Sequence, residues 1–119
     1  MKRCATLLLF TSLAALAAEP SLPLPSGQYI FQHRFAEHPS ILSITVEAKI
    51  DGNHITLTNK DKFDVFPKGI LAEGTLMWHA PTRRWIIGHG PADKLVQDVG
   101  GCSEGPEVVD LQKRIYWTC

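Results

Sequence analysis

Apolar and polar residues alternate one for one along much of this chain, and that period of two constrains the fold more than any other feature. A helix would bring its apolar residues back every three or four positions, so strict alternation marks strands with one buried face. Over residues 28–35, Tyr29, Phe31, His33 and Phe35 share one face, with Gln28, Ile30, Gln32 and Arg34 on the other. Leu42, Ile44, Val46, Ala48 and Ile50 form a second such face opposite Ser43, Thr45, Glu47 and Lys49. Asp51-Gly52-Asn53 then supplies turn residues for a tight hairpin. The return strand sends Ile55 and Leu57 inward and His54, Thr56 and Thr58 outward.

A polar loop over residues 59–69 interrupts the pattern, which resumes over 70–79 and turns at Ala80-Pro81-Thr82-Arg83, where Pro81 suits the second position of a type I turn. Residues 84–88 return as the partner strand, which makes Trp78 and Trp85 cross-strand neighbours. Residues 91–99 carry the signals of the one helix: Pro91 at its first position, Leu95, Val96 and Val99 on one face, and Gly100-Gly101 as a stop. A last hairpin pairs 108–111 with 114–119 around Gln112-Lys113. Strands dominate and local hairpins connect them, so the expected fold is mostly β: a small antiparallel meander barrel or half-barrel with one short helix. A β-sandwich is the alternative, because its strands show the same alternation.

The N-terminus reads as an address rather than as part of that fold. Lys2 and Arg3 precede an apolar run over 7–16, and Ala15-Leu16-Ala17 has the small-x-small form of a cleavage site, so 1–17 is expected to be a secretory signal peptide. The run is shorter than the roughly 20 residues of a spanning helix. Residues 18–26, with Pro20, Pro23 and Pro25, form a proline-rich extended lead that reads as a tether. Residues 27–119 remain as a single domain. Periplasmic or extracellular localisation follows, with no membrane attachment after signal cleavage.

Cys4 leaves with the signal, and Cys102 and Cys119 are expected to pair in an oxidising compartment. Such a bridge contributes about 3 kcal/mol to a domain of marginal stability. Removing Lys2 and Arg3 from 12 basic residues leaves a slight excess of the 12 acidic ones. A near-neutral surface of mixed sign gives no footprint for nucleic acid.

Catalytic spacing is absent. No G-x-S-x-G elbow surrounds a serine, and the carboxylate pairs Asp61 with Asp64 and Asp93 with Asp98 sit in polar stretches where solvated charge explains them. No cofactor motif is present. His33, between aromatic residues on an inner face, is a candidate ligand or base, but no zinc spacing links it to His38, His79 or His89. A histidine-based metal-dependent hydrolase is therefore the third reading of the chain.

The stronger lead is the 59–69 loop. Phe63 and Phe66 stand among Lys60, Lys62 and Lys68, an arrangement of aromatic anchors with a charged rim suited to a protein partner; the alternative is that Phe66 tucks under the loop and plugs one end of the barrel, with Pro67 fixing the exit. The first expectation is thus an exported binding module, in the form of an inhibitor or neutralising partner of a periplasmic or secreted protein. The second is a small-ligand carrier whose barrel interior is lined by Tyr29, Phe31, His33, Trp78 and Trp85. Arg83 and Arg84, beside Trp78 and Trp85, add a surface where guanidinium and indole together suit a sugar or an aromatic ligand; the alternative is that both tryptophans are ordinary core and both arginines are solvated at a hairpin tip.

Overall fold

The computed structural model describes residues 19–61 and 66–119. The apolar run at 1–17, Lys62 and Phe63 lie outside them. Seven strands follow one another: β1 (Gly27–Phe35), β2 (Thr45–Asp51), β3 (His54–Asn59), β4 (Gly69–His79), β5 (Arg84–Gly88), β6 (Glu107–Asp110) and β7 (Ile115–Thr118). Each pairs antiparallel with the next, and the sheet closes on itself as a small barrel. An up-and-down ring with an odd number of strands has to close on a parallel pair. β1 meets this by dividing its length: residues 27–32 pair with β2, and Gln32 to Phe35 run parallel to Ile115 to Thr118 of β7. The half-barrel and the sandwich are thereby excluded.

The alternating faces point where their period places them. Phe31 and His33 of β1, Val46, Ala48 and Ile50 of β2, and Ile55 and Leu57 of β3 are buried in the barrel interior. One bulge breaks the phase. Leu57 faces Ala72 but Thr58 faces Ile70, so β4 carries an extra residue there and Ile70 turns to the outer face.

Three tight hairpins gather at one end of the barrel. Gly52 takes a left-handed φ of 61° in the two-residue loop between Asp51 and His54. The 80–83 loop closes with Arg83 N donating to Ala80 O at 3.3 Å, and in 111–114 Asp110 Oδ1 accepts from the amides of Gln112 and Lys113 at 3.0 and 2.8 Å. Both four-residue loops end on an arginine with left-handed backbone, Arg83 at φ 54° and Arg114 at φ 57°. The opposite end carries the long connections 36–44, 60–68 and 89–106. Cys102 and Cys119 are joined there by a disulfide, with their Cα atoms 4.6 Å apart.

Three expectations need correction. The helix expected over 91–99 is a 3-10 turn limited to Pro91–Leu95. The chain leaves the turn at Val96, which is extended at φ −66° and ψ 148° and whose O accepts a 2.6 Å bond from His79 Nε2. Leu42, expected on an inner face, is exposed, because residues 36–43 form a turned connection and β2 begins only at Thr45. The lead is no tether in its described part. Leu22 and Leu24 pack against the core, Ser26 Oγ accepts from Gly52 N at 2.8 Å, and Glu19 pairs with Lys94 at 2.8 Å. Alternating prolines keep this segment extended, and its intervening leucines find apolar surface at the barrel mouth.

Candidate functional site

The interior is a packed core. Phe31, His33, Ile55 and Leu57 are fully buried, so Phe31 and His33 present no solvent-facing surface to a ligand. His33 is held by two hydroxyls, Ser43 Oγ at 2.6 Å from Nδ1 and Thr118 Oγ1 at 2.7 Å from Nε2. Its ring also packs edge-on against Phe35 and Phe66, with centroids 4.6 Å away in each case. Burial, with the charge of Arg34 second, lowers the His33 pKa below its usual value. Beside it, Tyr116 donates to Glu107 Oε2 at 2.5 Å; burial first, and then this bond and the Glu107 charge, raise the phenol pKa. Tyr29 is half-buried, its hydroxyl donating to Pro25 O at 2.6 Å and the Arg114 guanidinium lying 5.0 Å over its ring.

The histidines do not converge. His33 lies inside the barrel near the long-connection end, whereas His79 is buried on the outer side beneath residue 96. Because Val96 O can only accept, His79 Nε2 carries a proton and donates to it, and Nδ1 lies 2.8 Å from Thr82 Oγ1. Among the described residues no three histidine, cysteine or acidic side chains are placed to hold a metal.

Around the 59–69 loop the key residue is one that the sequence reading passed over. Asn59 is fully buried at the end of β3; its Nδ2 donates to Phe66 O and Pro67 O at 3.2 and 3.1 Å, and its Oδ1 accepts from Asp61 N at 3.0 Å. This clamp turns Phe66 inward, where it stacks nearly parallel to Phe35 with centroids 6.2 Å apart. An asparagine where a strand meets a polar loop was the available signal. Lys60 reaches Glu47 at 2.7 Å on the outer face, and Lys68 is exposed.

Trp78 and Trp85 meet edge to face, with centroids 5.4 Å apart, and border an open groove of about 660 Å³. Arg83, Arg84 and Trp117 line it too, and Pro20 and Pro23 of the lead close one side. Sequence reasoning missed Trp117, although its place beside inward Tyr116 in an alternating strand already assigned it to the outside.

No family model matches this chain, and neither a curated protein nor a solved structure shows significant similarity to it. Among the described residues, no helix is long and apolar enough to cross a membrane.

Proposed function

We propose that this chain is an exported binding module that engages a protein partner through the long-connection end of its β1 to β4 flank. One observation carries the reading: among the described residues four of the five large apolar side chains left in solvent, Ile30, Ile41, Leu42 and Ile70, belong to that flank, and only Leu95 on the 3-10 turn does not. Ile41 and Leu42 in the β1 to β2 connection are 51% and 84% exposed, and Ile70 at the start of β4 is 61% exposed. Register places Ile30, Glu47, Thr58 and Ile70 in one row across the outer sheet, with Lys60 fixed on Glu47 in their midst. Apolar anchors set among charges are the usual composition of a docking patch. The disulfide and the apolar N-terminal run support export. A rigid, stapled scaffold of this size suits a neutralising partner of a secreted enzyme. The packed interior argues against carriage of a small ligand inside the barrel.

The test is affinity capture on the oxidised protein, using envelope and secreted fractions of the source organism. A Leu42→Asp/Ile70→Asp variant is run beside the parent; both positions are exposed, so its circular dichroism should match. A protein retained by the parent and lost from the variant is the expected result. Equal retention by both would overturn the assignment of the surface.

A further inference from the structure

We propose that the tryptophan groove binds an acidic oligosaccharide, with indole faces stacking on the sugar rings and Arg83 and Arg84 receiving the carboxylates. This site lies apart from the loop-end surface, and the outcome for one does not decide the other.

All three tryptophans of the chain line this one groove. They come from three different strands, β4, β5 and β7, and each is only partly buried, while the fully buried interior is filled by other residues such as Phe31, Ile55, Leu57 and His33. Trp78 and Trp85 share the inward face with Leu76 and Ile87, and Trp85 both packs against the core and borders the groove. Trp78 and Trp85, with centroids 5.4 Å apart and each partly exposed, offer apolar ring surface at the groove, which matches the C–H face of a pyranose ring.

The charge at the groove is unbalanced. Neither Arg83 nor Arg84 forms an ion pair among the described residues, where the salt bridges join His54 to Glu73, Lys60 to Glu47 and Lys94 to Glu19. The carboxylate in the groove, Asp110, already accepts the two turn amides of Gln112 and Lys113. Against the two guanidiniums the groove sets one carboxylate, Asp110, so a net positive charge remains, and a carboxylate is the group a planar guanidinium fork holds best.

Arg83 shares its backbone conformation with Arg114 but not its side-chain contact. Its φ of 54° is a conformation glycine or asparagine adopts more readily. Arg114, the other arginine in this conformation, uses its side chain over the ring of Tyr29. Arg83 has no such ring partner among the described residues, and its guanidinium borders the groove. The turn sets this backbone in both four-residue loops, and what differs is that the Arg83 side chain is left for the groove. The volume of about 660 Å³ lies within the range of small-molecule sites. The open shape suits a chain that continues beyond the groove better than it suits a single enclosed aromatic ring.

Since every tryptophan lines the groove, intrinsic fluorescence reports on it alone. Oxidised protein is titrated with a galacturonate tetramer and with a neutral galactose tetramer, beside an Arg83→Gly/Arg84→Gln variant. Glycine suits the left-handed backbone at position 83, so the variant folds and its loss of binding reads the guanidiniums. The expected result is a saturable emission change with the acidic tetramer, weakened by about ten-fold or more in the variant. Added salt should weaken it further, and the neutral tetramer should bind far less well. No saturable change with either sugar, or equal affinity in parent and variant, would overturn the proposal. Competition by phenylacetate as effective as that of the tetramer would also overturn it, because the groove would then be a site for an aromatic anion.

Discussion

The two ends of the barrel are built by different means. At the tight-turn end each hairpin carries its own instructions within a few residues: Gly52 in a two-residue loop, Pro81 ahead of Arg83, and Asp110 beneath Gln112 and Lys113. At the long-connection end the chain is fixed by groups far apart in sequence. His33 joins Ser43 to Thr118, Asn59 reaches forward to Pro67, and the disulfide ties Cys102 to the last residue. Local instructions survive the loss of one contact, whereas a long connection falls back on loop entropy once its clamp is removed. The end that needs clamps is also the end that presents exposed apolar side chains. This is the usual division between a rigid scaffold and the loops it positions.

Substitutions that remove the clamps should therefore cost more than those that disturb a turn. Removing the disulfide by Cys102→Ser/Cys119→Ser should lower stability by about 3 kcal/mol in denaturant unfolding, and reduction of the parent should reproduce the loss. Asn59→Ala should cost about 2 kcal/mol, since two carbonyls and an amide lose a buried partner together. At the other end Gly52→Ala forces a left-handed φ on alanine in open space and should cost only about 1 kcal/mol. A Gly52→Ala loss equal to that of the disulfide would break the contrast between the ends.

The smallest expected effect is on pH dependence. The His33 pKa is lowered from 6.5 by burial, so the folded state resists a proton that the unfolded chain accepts. Stability from this group is present above about 6.5 and is lost as pH falls from there through the lowered folded value. The denaturant midpoint should drop on acidification from about pH 7.5 to about pH 5, and less steeply in His33→Gln than in the parent. Identical slopes would remove His33 from the account of the long-connection end.

The same contrast explains what could be read in advance. Strand positions, inward residues and the three hairpins were legible because period-two alternation and turn residues act locally. The disulfide was legible from cysteine number alone. Ring closure and the loss of helix after Leu95 were not, since each depends on a partner distant in sequence: β7 and His79. The tryptophan groove was half legible. Trp78 and Trp85 followed from one hairpin, but the place of Trp117 at the groove, across from Val108 on the other face of the sheet, did not, nor did that of the lead's leucines at the apolar barrel mouth.

Amide hydrogen exchange of the oxidised protein, alone and with the protein it captures, tests the central claim most directly. The account predicts added protection in residues 38–44 and 68–71, with exchange in 80–85 and 111–114 unchanged. Protection confined to those two hairpins, with 38–44 and 68–71 unaffected, would contradict it and move the partner surface to the opposite end of the barrel.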